Sequence, residues 1–492
     1  MKQNIVLIVT DQQRADSIGC YGNKHSSTPN LDALASEGTV CRRAYCTTPI
    51  CTPARASLQT GLYPSLHGMQ TNICTPGCLF HELPDSPVLL GNRMREHGYF
   101  TAYTGKWHLG FGGNAAEQSE FQKHMREYPL LRLSVGSGAL PSTRGYEIGD
   151  DFPGHGGGGE KFPQFQEYLQ ANGLTYQLEN KLTGMGRAAT LASGKESSVS
   201  HYLTNRAIDC LEDASSRDQP FFLSLHFWGP HEPYYVPQEF LDLYDINSVP
   251  LWNAMSSMPQ PSPRIHSGMR KAKGKDEDEI RTFLQHYYGF VSHIDDEVGR
   301  LVQALKRLGV YENTTIIFTA DHGESLGSHG GMVDKGLSMF EETVRVPLII
   351  KHSPNQIKDT HAFINTTDIY ASILDIANCN EGIEQQGQGR SILPLLNGEA
   401  PVDWPDSVVV ESSGIGHCLL SQRMIRNESW KYVLNVGDVD ELYDMKNDPD
   451  ESRNLIASDE CYDARGYMKE KLLNWMERNE DPLLKRVKYL AN

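Results

Sequence analysis

The stretch NIVLIVTD, residues 4–11, decides the fold class. Its apolar run is continuous and lacks the polar alternation of a strand with one face in water, so it predicts a strand buried on both faces. Residues 99–108, 220–231 and 314–323 share the pattern of a short β-branched or aromatic run that ends in polar residues. Together these segments predict a largely parallel sheet with helices on both faces.

The clearest helix covers residues 277–308, where apolar side chains recur at helical spacing and Gly309 closes the pattern. Residues about 111–200 interrupt the alternation of strands and helices with polar and Gly-rich runs, which predicts an irregular insertion near the mouth of the site. We therefore expect an α/β fold. Residues 1–399 form a large domain with a mostly parallel mixed sheet between helices, and residues 400–492 form a smaller C-terminal α+β domain with an antiparallel sheet.

The charge balance excludes some classes of partner. The chain has 45 Lys and Arg against 62 Asp and Glu, a net charge of −17. This argues against nucleic acid or an anionic membrane as the main partner. No apolar run approaches the roughly 18 residues that span a bilayer. The first residues do not resemble a signal peptide, so the sequence as written predicts a cytoplasmic protein, or a periplasmic or secreted one if a leader was trimmed.

The cysteine pattern does not predict a disulfide scaffold, because ten cysteines in 492 residues are too sparse for one. Cys74 and Cys78 are close enough to pair or to bind zinc, but no second pair has the spacing of a metal site. His155, His201 and His417 are more typical of surface or turn histidines than of a glycan pocket.

Polar side chains follow each of the four predicted strands. They are Asp11 and Gln12, Lys106 and His108, His231, and Asp321 and His322. An isolated Asp after a strand is often only a helix or turn cap. In parallel α/β sheets, however, ligands bind beyond the carboxyl ends of the strands, and here four strands end alike.

These residue types suit a metal next to an anion. Two carboxylates, an amide oxygen and an imidazole are suited to a divalent cation, and they come from Asp11, Gln12, Asp321 and His322. Positive or hydrogen-bond-donating groups come from Arg55, Lys106, His108, His231 and Lys335. A metal beside several cations implies a multiply charged oxyanion between them, and hence a tetrahedral sulfuryl or phosphoryl group as the ligand.

The segment CTPARASLQTG, residues 51–61, predicts a short helix with Thr52 as N-cap, Pro53 at its first position and Gly61 after its end. Cys51 would then lie at a positive helix terminus, where a lowered thiol pKa makes it a candidate nucleophile. The alternative is that Cys51 is a small buried residue, since a cysteine behaves as a hydrophobe.

The stretch from Cys51 to Arg55 resembles the Cys-x-Pro-x-Arg signature of type I sulfatases, in the alkaline phosphatase superfamily. TGKWHLG (104–110), PHEPY (230–234), FTADHGESLG (318–327) and ELYDMKNDPDESRNL (441–455) follow in that family's order. The resemblance spans nearly the whole chain and is weakest over about 111–200 and 240–275. It implies an alkaline-phosphatase-like fold and a sulfuric ester hydrolase, with residues 1–399 as the catalytic domain.

The resemblance also implies roles for residues. Cys51 would be converted to formylglycine by a maturation enzyme, and one hydroxyl of its hydrate would attack sulfur. Arg55 would orient the hydrate, Lys106 and Lys335 would bind sulfate oxygens, and His108 would take the proton during elimination. His231 is the candidate to protonate the leaving oxygen, with Lys335. The implied metal ligands are Asp11, Gln12, Asp321, His322 and modified Cys51.

Two departures from the commonest pattern affect the metal and the reaction. Many members have a second Asp where this chain has Gln12, and Asn where it has His322. The lower ligand charge and the softer imidazole make Mn²⁺ an alternative to the usual Ca²⁺. The same combination resembles phosphonate monoester and phosphodiester hydrolases, which form the alternative activity, whereas TGKWHLG favours a sulfatase.

The family's range and the polar insertion favour a carbohydrate sulfate, either a small molecule or an oligosaccharide, as the substrate. A hypothesis of another class is a non-catalytic protein that binds sulfated glycans with Cys51 unmodified. The retained set of acid–base residues disfavours it, because a binding module would need only the cations.

Overall fold

The computed structural model describes residues 2–73, 80, 82–110, 138–151, 159–252, 255, 258–353, 356–379, 388–415 and 418–490. Cys74, Cys78, His155 and His417 lie outside these residues. Within the described parts of the chain, no helix is both long enough and apolar enough to cross a bilayer.

The strands form three sheets. In chain order they are β1 (Asn4–Thr10), β2 (Thr39–Tyr45), β3 (Phe100–Gly105), β4 (Ile148–Asp151), β5 (Leu178–Thr183), β6 (Arg187–Leu191), β7 (Phe221–His226), β8 (Tyr234–Pro237), β9 (Thr314–Ala320), β10 (Leu348–Lys351), β11 (Asp359–Asn365), β12 (Ser407–Ile415), β13 (Cys418–Asn427), β14 (Trp430–Asn435) and β15 (Glu441–Asp444).

The helices connect and flank these strands. They are α1 (Pro29–Glu37), α2 (Cys51–Thr60), α3 (Pro64–His67), α4 (Leu90–Glu96), α5 (Pro163–Ala171), α6 (Val199–Ser215), α7 (Gln238–Leu241), α8 (His266–Met269), α9 (Glu277–Arg307), α10 (Ser328–Gly331), α11 (Glu341–Val344), α12 (Thr366–Ile376), α13 (Leu393–Leu396), α14 (Tyr462–Arg478) and α15 (Leu483–Leu490). Short 3₁₀ turns lie at Ala15–Ser17, Gly19–Tyr21, Pro141–Arg144, Lys195–Ser197, Tyr311–Asn313 and Asp459–Cys461.

The main sheet has eight strands in the order β11-β2-β10-β9-β1-β7-β3-β4. Strands β9, β1, β7, β3 and β4 pair in parallel, and β10 is antiparallel to both β9 and β2. The predicted mostly parallel mixed sheet is therefore confirmed. Four adjacent strands, β9, β1, β7 and β3, are the four segments that the sequence singles out.

Strand β1 is buried on both faces, as its continuous apolar run predicts. Val6 and Ile8 pack in the cluster that contains Leu203 of α6 and Ile294 of α9. The alternate residues of β1, Ile5, Leu7 and Val9, pack in the cluster on the other face, with Ile373 of α12. Since successive side chains point to opposite faces of a strand, a run without polar residues needs helices on both sides.

Helix α9 matches its prediction closely. The side chain of Asp276 caps it by accepting a hydrogen bond from the N–H of Glu279, and Gly309 follows its end with φ of 72°. Acidic residues in its first turn and basic residues in its last turn complement the helix dipole. The local sequence therefore specifies both ends of this helix.

The C-terminal part contains the predicted antiparallel sheet, in the order β12-β13-β14-β15. One face packs into the main core through Val408, Val410 and Met424. The other face packs against α14, with Ile425 and Tyr432 in the same cluster as Met468, Leu472 and Met476. The small α+β unit is confirmed, and the boundary at residues 399 and 400 stays a prediction.

The predicted insertion at about 111–200 is described only over 138–151 and 159–200. There, β4 adds an edge strand to the main sheet beside β3, and β5 and β6 join β8 in a three-stranded sheet. Residues 111–137 and 152–158 lie outside the described residues.

Candidate active site

The candidate site lies where four adjacent strands of the main sheet end. Because β9, β1, β7 and β3 are adjacent and parallel, their carboxyl ends meet at one edge. The N–H of Gln12, after β1, donates to Asp321 Oδ1, after β9, at 3.1 Å. The N–H of Lys106, after β3, donates to the carbonyl of His226 in β7 at 2.9 Å. Residues that are 309 positions apart in sequence thus become neighbours.

Helix α2 brings Cys51 to this edge, and it begins two residues earlier than predicted. Ile50 is the N-cap and Cys51 is the first helical residue, so the assignment of Thr52 as N-cap is wrong. The Thr52 hydroxyl instead donates to the carbonyl of His108 at 2.8 Å, which ties the helix start to the loop after β3. Gly61 ends the helix with φ of 69°, as predicted.

The thiol of Cys51 is buried among the predicted metal ligands and basic groups. Its Sγ lies 3.1 Å from His322 Nε2 and 3.9 Å from Asp11 Oδ1. Burial raises the pKa of this thiol, but Lys106, Lys335 and His322 outweigh burial and hold the pKa well below its usual value. A hydrogen bond to Cys51 also links it to His108.

Arg55 lies one helical turn further on and joins three strand ends. Its Nε donates to Asp321 Oδ2 at 2.9 Å, and its Nη2 lies 3.4 Å from Asp11 Oδ2. Its Nη1 donates to the carbonyl of Lys106 at 2.9 Å. With all three nitrogens engaged by the protein, this guanidinium fixes the two carboxylates relative to helix α2.

His226 also contacts Arg55 and was missed by the sequence reasoning. Its Nδ1 lies 3.0 Å from Arg55 Nη1, and its Nε2 lies 2.8 Å from the hydroxyl of Ser224. Burial, followed by the charge of Arg55, lowers the pKa of His226 well below its usual value, so the neutral ring accepts from Arg55 through Nδ1. The feature of the sequence that could have identified His226 is its position at the end of a largely apolar strand.

The two carboxylates of the site titrate in opposite directions. Burial raises the pKa of Asp11, but Lys106, whose ammonium contacts Asp11 Oδ2, together with His231 and Arg55 lowers it overall. The pKa of Asp321 is raised by burial and by the charge of Asp11. The protein's own cations therefore compensate one carboxylate more fully than the other.

This electrostatic pattern and the set of donors fit a divalent cation. Asp11, Cys51, Asp321 and His322 each place a ligand atom within 4.8 Å of the others, and all four are buried. Burial lowers the pKa of His322, but Asp321 and Cys51 raise it to about 9. Two carboxylates, an imidazole and the side chain at position 51 form a mixed oxygen and nitrogen shell of the kind that a divalent ion accepts.

Gln12 lies beside this group of four. Its Oε1 accepts a hydrogen bond from Lys335 Nζ, and its Nε2 donates to Glu324. Gln12 has φ of 62°, in the left-handed region that non-glycine residues rarely adopt. Glu324, a further residue that the sequence reasoning missed, is buried and also accepts the N–H of Leu326 at 2.9 Å.

The remaining predicted residues are Lys335, His231 and His108. Lys335 Nζ lies 2.8 Å from His231 Nε2, and His231 Nδ1 lies 2.6 Å from the carbonyl of Glu232. Burial is the largest of the effects that lower the pKa of His108 to about 4. The structure thus gathers every predicted catalytic and metal-ligating residue at one sheet edge.

Comparisons with known proteins agree with this arrangement. The family model described as Sulfatase matches residues 3–379, and the model described as N-sulphoglucosamine sulphohydrolase, C-terminal, matches residues 327–478. The chain is 28% identical to the uncharacterized sulfatase YidJ of Escherichia coli, over 98% of this chain and 88% of that protein. It is 26% identical to an N-acetylglucosamine-6-O-sulfatase of Bacteroides thetaiotaomicron, over 93% of this chain and 83% of that protein.

Among solved structures, the phosphonate monoester hydrolase of Agrobacterium radiobacter superposes with a TM-score of 0.77 at 24% identity, covering 97% of this chain and 96% of that one. Sequence identity at this level shows a shared fold. It carries no information about which ester this chain cleaves.

Proposed function

The chain belongs to the sulfatase family, and on that premise we propose that it removes sulfate from a carbohydrate sulfate ester through a formylglycine formed from Cys51. The hydrolase class follows from the family itself. Support for a carbohydrate substrate comes from the relative named N-acetylglucosamine-6-O-sulfatase. The proposal includes a separate maturation enzyme that oxidises Cys51.

The observation that carries the proposal is the set of groups around Cys51. His322 Nε2 lies 3.1 Å from the sulfur, Asp11 Oδ1 lies 3.9 Å from it, and a hydrogen bond links His108 to the same atom. Formylglycine, once hydrated, would supply one hydroxyl that attacks sulfur and becomes sulfated. Loss of the proton from its second hydroxyl would then re-form the aldehyde and expel sulfate.

Asp11, Asp321 and His322, together with Gln12 and the modified residue 51, would hold the divalent ion. The proposed ion is Ca²⁺, because four of these side chains offer oxygen, and Mn²⁺ is the alternative because His322 offers nitrogen. The ion would add positive charge next to the sulfate oxygens.

Two lysines are placed to hold sulfate. The ammonium groups of Lys106 and Lys335 both lie close enough to Cys51 to lower its pKa. Fixed cations of this kind stabilise the charge that develops on oxygen in the transition state. Arg55 differs, because its nitrogens are engaged by Asp321, Asp11 and the carbonyl of Lys106. Its proposed role is therefore to orient residue 51 and the carboxylates.

Proton transfer is assigned to two histidines, His108 and His231. His108 is bonded to the nucleophile's position and is proposed to take its proton when sulfate is eliminated. His231, 2.8 Å from Lys335 Nζ, is proposed to give a proton to the leaving alcohol, with Lys335. Separate groups for the two transfers allow each histidine to act at a different oxygen.

A second candidate is a phosphonate monoester or phosphodiester hydrolase. The observation that favours it is the Gln12 and His322 pair at the metal edge, together with the fold shared with the Agrobacterium enzyme. An aryl sulfate and an aryl phosphonate, matched in their leaving group, would distinguish the two. A preference for the phosphonate in kcat/KM would overturn the sulfatase proposal.

The nucleophile is tested by mass spectrometry of the peptide that bears residue 51, after expression with a formylglycine-generating enzyme. Conversion of the thiol to the aldehyde should rise in parallel with turnover across preparations. Chelation should abolish turnover, and Ca²⁺ or Mn²⁺ should restore it. Full turnover with an intact Cys51 thiol would contradict the proposal, and a protein that binds sulfated glycans without turnover would favour the binding-module hypothesis.

A further inference from the structure

Asp334 is a carboxylate on the leaving-group side of the site to which no role has been given. Its Oδ1 lies 3.3 Å from the ammonium of Lys335, which in turn lies 2.8 Å from His231 Nε2. Oδ1 is also 3.5 Å from the side-chain amide of Gln12. Unlike Asp11 and Asp321, which are fully buried, the Asp334 side chain is 39% exposed. It therefore lies within the site but can reach a bound molecule.

The backbone holds this carboxylate in a fixed direction. Asp334 has φ of 85°, its N–H donates to Glu324 Oε1 at 2.5 Å, and its carbonyl accepts the N–H of Ser325 at 3.2 Å. A residue other than glycine rarely adopts this conformation, and Asp and Asn tolerate it best. The loop is thus held in a conformation that presents Asp334 next to Lys335.

The charge of Asp334 is only partly compensated on its outer side. Its Oδ2 lies 3.6 Å from the ammonium of Lys271, whose side chain is 53% exposed. An exposed ion pair of this kind is weak, so a ligand that binds the carboxylate can replace the lysine. An ionised carboxylate has only acceptor oxygens, so it binds hydroxyl or amino groups and repels anions.

Resting on the proposed function, we infer that Asp334 recognises the alcohol half of the substrate by accepting a hydrogen bond from a hydroxyl group next to the scissile ester. The same carboxylate disfavours a second sulfate at that neighbouring position. The substrate class is therefore a polyol, such as a sugar, that is sulfated at the cleaved position and carries a hydroxyl beside it. A simple aryl sulfate offers no donor to Asp334.

The test uses the matured full-length protein and three monosaccharide sulfates. The position next to the ester carries a hydroxyl group in the first, hydrogen in the second and a second sulfate in the third. We expect the wild type to prefer the hydroxyl over the deoxy compound by about five- to tenfold in kcat/KM, as a charge-assisted hydrogen bond does. Asp334→Asn, which suits the same backbone conformation, should reduce this preference to about twofold or less and raise relative turnover of the disulfate.

Two further variants keep the test decisive. Lys271→Gln removes the cation on the outer oxygen, so discrimination against the disulfate should increase by about threefold. This variant decides the question by itself if Asp334→Asn does not fold. Asp213→Asn is the matched control, because its carboxylate is 41% exposed and pairs with Arg217 on α6. It should leave all three kcat/KM ratios unchanged.

The outcomes separate the inference from the proposed function. An equal change in kcat/KM for all three compounds would show that Asp334 acts only through Lys335, and would overturn the inference alone. Unchanged ratios in both Asp334→Asn and Lys271→Gln would do the same. Failure of the matured wild type to cleave any sulfate ester would overturn the proposed function, and this inference with it.

Discussion

In the described part of the chain, two of the regions that bury carboxylates next to imidazoles differ in their arrangement, and only the first is proposed as the active site. The first is the edge formed by Asp11, Asp321, His322 and Cys51. The second, here called the helical cluster, consists of Glu297, His201, His293 and Arg300 between α6 and α9. Glu297 is fully buried, as are Asp11 and Asp321. Burial of an acid beside histidine is therefore common to both regions.

The difference lies in how completely each acid is paired. Glu297 Oε1 accepts from His201 Nδ1 at 2.9 Å and Glu297 Oε2 accepts from Arg300 Nη1 at 2.5 Å. Burial raises the pKa of Glu297, but these partners lower it to about 2. In the active site, by contrast, burial and Asp11 raise the pKa of Asp321. A site binds an ion where the protein's own groups leave a charge uncompensated. In the helical cluster, the partners of Glu297 leave little of its negative charge uncompensated.

The regions also differ in how they are assembled. His293, Glu297 and Arg300 lie three or four residues apart on α9, so the helix itself places them on one face. Arg55 and Asp321 are 266 residues apart and meet only because their elements end at one sheet edge. We therefore expect substitutions at the sheet edge to reduce turnover, and substitutions in the helical cluster to reduce stability.

The largest effect is expected for Cys51→Ser. The proposed maturation step oxidises the thiol of a cysteine, and serine has no thiol, so the aldehyde would not form. We expect kcat/KM for an aryl sulfate to fall by at least about 10⁴-fold with little change in stability, measured by steady-state kinetics and urea unfolding. Cys210→Ala, at a buried cysteine on α6, is the control and should stay within twofold. Substantial residual turnover in Cys51→Ser would contradict the assignment of residue 51 as the nucleophile.

The next effect is expected for Lys106→Met, which removes a fixed cation near Cys51. We expect kcat/KM to fall by about 10²- to 10³-fold, because such a cation acts on the transition-state charge. Lys351→Met is matched to it, since Lys351 is also buried but bonds to the carbonyls of Tyr311 and Thr314 away from the site. If both variants lost turnover equally, the loss would reflect folding rather than chemistry.

In the helical cluster, Arg300→Met should lower stability without affecting chemistry. The substitution leaves Glu297 buried without the guanidinium that contacts Oε2, which we expect to cost about 3 kcal/mol of unfolding free energy. Urea titration would measure this, and kcat/KM of the folded protein should stay within twofold. Arg307→Met, at an arginine that is 61% exposed and paired with Glu212, should cost less than about 1 kcal/mol. Equal costs for the two would remove the contrast between the regions.

The smallest effect is a pH dependence that comes from His293. Burial lowers the pKa of His293 to about 4, so the unfolded chain binds its proton at higher pH than the folded chain does. Stability from this group is present above about pH 6.5 and is lost as the pH falls towards 4. Between pH 7 and pH 5 the wild type should lose about 2 kcal/mol that His293→Gln does not lose, as followed by urea midpoints. Parallel curves for the two proteins would contradict this origin.

The sequence was a good guide wherever a local pattern carried the information. The continuous apolar run of β1 can be stable only between two layers of helices, and both layers are present. The caps of α9 fixed its ends to within one residue. Polar residues after four strands predicted one edge, because parallel strands must end together.

The sequence was a poor guide wherever a side chain serves a distant partner. Thr52 has the residue type of an N-cap, but its hydroxyl bonds to His108 instead. His226 looked like part of a buried strand, yet it orients Arg55. Residue propensity describes local conformation, and it carries no information about which atoms of a distant segment will contact a side chain.

The sequence by itself determined the layered α/β architecture, the order of the polar strand ends and the segment from Cys51 to Arg55, because hydrophobic period and residue type are local properties. Only the tertiary structure decided which groups surround Cys51, which carboxylate is left short of positive charge and that the carboxylate of Asp334 lies next to the ammonium of Lys335. These depend on distances of a few ångströms between chain segments hundreds of residues apart, and the packing of the sheet and its helices sets those distances.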